Sequence, residues 1–237
     1  MANNTFYIIT LFALLAATSL TAQEAVPKNW DSEKIKGSQL IPYPSYTGNP
    51  YLTEKFVSGE IEFTDGTKIE NLFLRYSTYR DEIIYFNSAI SAQIIIDKIS
   101  LKGFKLFTKE GANRIFRNQY YNGFLPGNRF FEVLNDGDIA LLAYRTVVLQ
   151  YCSVYNNEAG VLKNMEYQQN FNYYLYNSKK GYETIRIGKN SLLSKFDKSN
   201  QKLVKKLLRN NKIAIRDESG LIEAWKLIQI NRIPTNF

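Results

Sequence analysis

Residues 56–86 read FVSGEIEFTDGTKIENLFLRYSTYRDEIIYF. Val57, Ile61 and Phe63 alternate with polar neighbours, the period-2 pattern of a half-buried strand. Thr64-Asp65-Gly66-Thr67 follows, and an Asp-Gly step between two such runs is a strong hairpin signal. The pattern resumes from Lys68 to Tyr76 through Ile69, Leu72 and Leu74, breaks at Ser77–Asp81, and returns at Glu82–Phe86. This predicts a three-stranded antiparallel meander.

The same alternation of run and turn continues outward. It predicts strands at Ala92–Ile96, Gly103–Phe107, Arg114–Tyr120 and Phe130–Leu134. A second Asp-Gly hairpin at Asn135–Asp138 leads into a long run from Ile139 to Tyr155. Phe171–Tyr176 and Tyr182–Ile187 flank a third turn, Asn177–Gly181. Residues 56–189 thus form a β domain of about nine or ten strands, an antiparallel meander, sandwich or barrel-like roll. Seventeen Tyr and fifteen Phe suit such a fold, because aromatic side chains fit a pleated, half-buried surface. After Lys189 the period becomes 3.6. Ser199–Asn210 sets Leu203, Val204, Leu207 and Leu208 apart from Lys202, Lys205, Lys206 and Arg209, and a second helix spans Glu218–Ile230 with Asp217 or Ser219 as its cap. With a short helical turn at Ser191–Phe196, residues 190–237 form a basic helical tail packed on the sheet. The fold class is α+β, mostly β, with a C-terminal helical pair.

Upstream of the meander, residues 23–55 hold four of the six prolines and are expected to form an extended arm, since proline fixes φ and lacks the amide a central strand needs. Residues 1–22 resemble a secretory signal: Phe6–Ala17 is almost wholly apolar and runs into small residues ending at Ala22. No later apolar run approaches the roughly 20 residues of a spanning helix, so the mature chain is expected to carry no transmembrane span.

The composition narrows the chemistry. The chain has no histidine, which removes the commonest general base and zinc ligand. Its one cysteine, Cys152, excludes an internal disulfide and reads as a small core residue. Phosphate-binding glycine loops are absent, and the Asp-Gly turns lack the acidic spacing of a calcium loop. Glu60 with Glu62, and Asp81 with Glu82, are the candidate carboxylate pairs; on a strand the first pair lies about 7 Å apart and suits a solvent-facing edge. No catalytic, metal or cofactor residue is therefore assigned, and no cofactor is expected.

Charge is segregated. Residues 178–237 hold 14 Lys and Arg against 5 Asp and Glu, a net of +9, while the rest of the chain holds 16 against 17, a net of −1. Lys202, Lys205, Lys206 and Arg209 are thus candidate contacts for an anionic partner, or else a solvated helix face. Tyr120, Tyr121, Tyr173, Tyr174 and Tyr176 are candidates for an aromatic binding platform.

The stretch Gly48-Asn49-Pro50-Tyr51-Leu52, Phe56, Gly59-Glu60-Ile61, Asp65-Gly66-Thr67, Leu74-Arg75-Tyr76 and Asp81-Glu82 resembles exported proteins common in Bacteroidota. In these a G-x-P-Y-L arm precedes a β-rich body and Lys-rich terminal helices. The resemblance implies a cell-envelope setting and carries no activity or functional residues. The expectation is a non-catalytic exported protein of the periplasm or outer-membrane periphery that binds another envelope protein as an accessory or scaffold subunit. The alternative is a glycan- or lipopolysaccharide-binding module using the tyrosines and the basic helix. Nucleic acid is not an expected partner.

Overall fold

A computed structural model describes residues 35–108, 113–156 and 162–237. The predicted export signal, and the arm as far as residue 34, lie outside the described residues. The described strands are β1 (Gly37–Gln39), β2 (Thr47–Gly48), β3 (Val57–Phe63), β4 (Lys68–Ser77), β5 (Glu82–Asn87) and β6 (Ala92–Ile96). They continue with β7 (Leu101–Phe107), β8 (Asn113–Tyr121), β9 (Gly127–Asn135), β10 (Ala140–Asn156), β11 (Leu162–Asn177) and β12 (Gly181–Ile185). Three helices follow: α1 (Lys189–Leu193), α2 (Lys198–Asn210) and α3 (Glu218–Ile230).

All twelve strands belong to one open sheet, in the order β1-β6-β5-β4-β3-β7-β8-β9-β10-β11-β12, with β2 beside β11. It is a meander that does not close into a barrel, and β3 lies inside it between β4 and β7 rather than at an edge. Its first turn differs from a primed two-residue turn. Only Gly66 takes a positive φ (+85°), while Thr67 N–H donates to Asp65 Oδ1 at 2.8 Å, so the loop is longer by a residue and needs only one left-handed position. Aromatic rings fill the interior: Phe104 stacks on Phe116 at 4.5 Å, Tyr76 lies 5.1 Å from Phe116, and Phe130 meets Phe104 edge-on at 5.0 Å.

The two strands beyond the predicted set come from the arm. Gly37–Gln39 pairs with β6 at a sheet edge, and Thr47 and Gly48 pair in parallel with Glu166 and Tyr167 of β11. Proline keeps the rest of the segment out of the ladder, yet its tyrosines hold it down. Tyr43 donates to Ser77 Oγ at 2.9 Å, and Tyr167 donates to Pro44 O at 2.9 Å. Tyr79 meets both Tyr43 (5.6 Å) and Tyr167 (5.3 Å) edge-on. The arm therefore links β6, β11 and the β4–β5 turn.

The helices cover one face of the β9–β12 region. Leu141 of β10, Leu175 of β11 and Ile185 of β12 form one buried cluster with Leu193, Val204, Leu208 and Trp225. Trp225 is 1% exposed, and its Nε1–H donates to Ile139 O at 3.1 Å. The predicted cap of α3 forms at Asp217, not Ser219: Asp217 accepts from Gly220 N–H, and Asp197 caps α2 by accepting from Asn200 N–H. A buried charge network fastens α3 to the sheet. Arg145 of β10 reaches Glu132 of β9 at 2.5 Å and Glu218 of α3 at 2.6 Å. Among the described residues no helix is long and apolar enough to cross a membrane.

One irregularity creates the cleft described below. β9 pairs with β10 only between Phe131 and Asn135, opposite Leu141–Tyr144. Past that point β9 stays with β8, while β10 continues with β11 alone. The β4–β5 turn fills the gap: Val147 N–H donates to Thr78 O at 3.1 Å, and Phe130 N–H donates to Asp81 Oδ1 at 3.4 Å. Cys152 lies on this outer ribbon and is half-buried, not a core residue, because the core helices pack on the other end of β10.

Candidate binding cleft

Strand alternation assigns the residues to two surfaces, since neighbours along a strand point to opposite faces. Tyr173, Leu141 and Leu175 face the helices, whereas Leu142, Tyr144, Tyr174 and Tyr176 face the other side. On that second face a cleft of about 480 Å³ opens where the sheet splits. Its floor is the β10–β11 ladder, including Tyr144, Thr146, Asn170, Asn172 and Tyr174. The β4–β5 turn, Thr78–Asp81, closes one end, and Phe124 and Leu125 of the β8–β9 loop form a wall with Arg129 of β9.

Asp81 anchors the closed end. It is 7% exposed and occupies a left-handed conformation (φ +56°) that aspartate tolerates better than most residues. Tyr76 O–H donates to its Oδ1 at 2.5 Å, and Lys98 Nζ contacts its Oδ2 at 2.8 Å. Burial, reinforced by the Asp81 charge, drives the phenols of Tyr76 and Tyr144 well above their ordinary range, so both stay protonated as donors.

Arg129 organises the wall. One amino group of its guanidinium, Nη2, donates to Phe124 O at 3.1 Å and Leu125 O at 2.7 Å. Its Cζ lies 4.2 Å from the ring centroid of Tyr121 and 4.9 Å from that of Tyr144. The loop so held is unusual: Leu125 takes φ +56°, strained for a bulky side chain, and Phe124 and Leu125 are 86% and 69% exposed. No carboxylate among the described residues forms an ion pair with Arg129 or with Arg80, which lies over Tyr79 at 5.3 Å.

Of the five predicted platform tyrosines, the structure unites three. Tyr121, Tyr174 and Tyr176 join Phe131, Tyr144 and Tyr182 in one aromatic cluster on the cleft face. Tyr174 meets Tyr121 edge-on at 5.6 Å, and burial pushes its phenol up to about 12. Tyr173 points to the helix side, where burial and then a hydrogen bond with Glu218 push it up to about 12. Tyr120, 63% exposed, takes the opposite parity to Tyr121. Lys202, Lys205, Lys206 and Arg209 are all exposed on α2, on the helix side of the sheet. The tyrosine cluster and the basic helix are therefore separate surfaces.

Sequence reading missed Arg129, Thr146, Asn170 and Asn172. Arg129 carried no local signal, and the run Gln168-Gln169-Asn170 lacks the apolar alternation that marks the strand from Phe171. Pairing with β10 makes it a strand: Thr146 lies opposite Asn170, and Tyr144 opposite Asn172. Glu60 and Glu62 are answered by lysines, Glu60 by Lys105 at 2.5 Å and Glu62 by Lys102 at 2.7 Å. No group of three His, Cys, Asp or Glu side chains able to hold a metal gathers among the described residues.

No protein-family model matches the chain, and no curated protein or solved structure matches it either.

Proposed function

We propose that the chain is a non-catalytic binding protein of the cell envelope, exported to the periplasm or outer-membrane periphery, whose cleft holds a segment of glycan. The observation that carries this reading is the union of ring and amide surface in one concavity. Tyr79, Tyr121 and Tyr144 line it beside the exposed amides of Asn170 and Asn172. Sugars present an apolar ring face and a rim of hydroxyls, and this cleft offers a matching surface to each.

Binding without cleavage fits the carboxylates. Glycoside hydrolysis ordinarily needs two, about 5–10 Å apart. Among the described residues the cleft lining has one, Asp81, and it is committed to Tyr76, Lys98 and the Phe130 amide.

Calorimetric titration with soluble bacterial surface polysaccharides tests the reading. One of them should bind, and N170A/N172A should weaken it about 10–100-fold at unchanged stability, since each lost hydrogen bond is worth roughly 1 kcal/mol. Equal affinity of parent and variant, or no binding across the panel, refutes it. A second reading, an accessory subunit for another envelope protein, is favoured by the exposed Phe124 and Leu125 on the lip. Partner capture abolished by F124A/L125A and untouched by N170A/N172A would establish it instead.

A further inference from the structure

Four cations on the sheet and its turns are answered by carboxylates, Lys102 by Glu62, Lys105 by Glu60, Arg117 by Asp136 and Lys98 by Asp81, while Arg75, Arg80 and Arg129 form no ion pair among the described residues. On α2 no cation is so answered. Lys198, Lys202, Lys205 and Arg209 recur at i, i+4, i+7 and i+11, which lines them along one stripe about 16 Å long at 1.5 Å per residue. Lys206 stands beside that stripe. All five are exposed, none forms an ion pair with a described residue, and α2 contains no acidic residue. Asp197, the nearest carboxylate in sequence, is held by the Asn200 amide and the Ser199 hydroxyl.

Packing fixes the direction in which the stripe points. Val204 and Leu208 are 0% and 3% exposed in the helix–sheet core, so α2 cannot turn its charges inward. Leu203, on the same helix, remains 55% exposed. Like charges one turn apart destabilise a helix, so the fold sustains this stripe without gaining from it internally.

We propose that the outer face of α2 docks on an anionic lipid layer. A straight row of cations is complementary to a planar, diffuse negative surface. A folded acidic protein would have to present a matched line of carboxylates to do the same. Because α2 and the cleft lie on opposite faces of the sheet, docking here leaves the cleft turned away from the lipid. The inference stands on the charge stripe and is independent of the glycan reading.

Each Lys or Arg near such a surface strengthens binding by about fivefold, so removing four lowers it by about 10²–10³-fold. The exported, purified protein is sedimented with phosphatidylcholine vesicles, with and without phosphatidylglycerol. Binding is expected only to the anionic vesicles and should fade as salt shortens the screening length. K202Q/K205Q/K206Q/R209Q should lose it at an unchanged melting temperature, while N170A/N172A should retain it. Equal binding to neutral vesicles, or a quadruple variant that binds like the parent, overturns the proposal. So does preferential binding to polyglutamate, which would indicate an acidic protein partner.

Discussion

Replacing Arg145 by methionine removes a buried charge while keeping most of its volume. The Arg145 side chain is 3% exposed, and its neighbour Glu132 is 7% exposed. Nε donates to Glu132 at 2.5 Å, and the two terminal nitrogens donate to Glu218 at 2.6 and 2.9 Å. Burial by itself disfavours the guanidinium charge, but Glu218 and Glu132 outweigh it and hold Arg145 firmly protonated. Deleting one partner of a buried pair costs about 3–5 kcal/mol, because the other charge is left uncompensated. Two features here favour the low end. Arg114 remains on Glu132 at 2.6 and 2.7 Å, and Glu218, 31% exposed, can rehydrate. The expected loss is therefore about 3 kcal/mol, a fall in Tm of about 6–12 °C for a body of this size. Urea denaturation should show a lower midpoint at constant slope. E218Q alone should cost only about 1 kcal/mol, given its exposure. R145M/E218Q should be less destabilising than the sum of the single variants, because both act on one network. R145M within about 0.5 kcal/mol of the parent, or strict additivity in the double variant, would refute the view that this network fastens α3 to the sheet.

Two further outcomes follow from the buried aromatic residues. W225A should cost about 3–5 kcal/mol by opening a cavity between α3 and the β9–β10 turn, with limited proteolysis cutting first in the helical tail. Stability should also fall at alkaline pH. Burial pushes Tyr43, Tyr173 and Tyr174 up to about 12 from 10.0, so between those values the unfolded chain has lost protons that the native state keeps, and rising pH favours unfolding. Circular dichroism against pH, compared with tyrosinate absorbance, checks this; ionisation near pH 10 with the fold intact would contradict it.

The meander, the helical pair and the charge asymmetry were legible because each is written locally. Period-2 runs around Asp65-Gly66 specify a hairpin whatever lies beyond it. α3 occupies Glu218–Ile230 as its apolar period predicts, and Asp217 caps it. The short-range turns and caps depend on side chains within a few residues, so the chain itself carries their signal.

The cleft belongs to a different level. Its floor joins strands predicted at Ile139–Tyr155 and Phe171–Tyr176 to Asn170, which lies beyond the predicted end of β11 and is held there by its pairing with Thr146 of β10. Its wall is held by an arginine with no local motif, and its closed end is a turn inserted between two strands some 50 and 70 residues further on. Tyr173 and Tyr174 are neighbours in sequence, yet one faces the helices and the other the cleft. Composition and period established that this chain folds as a β-rich sheet with a basic helical tail. Only tertiary structure decided which tyrosines meet, where the sheet splits and which face the helices cover, because those outcomes depend on long-range register and burial that no single segment encodes.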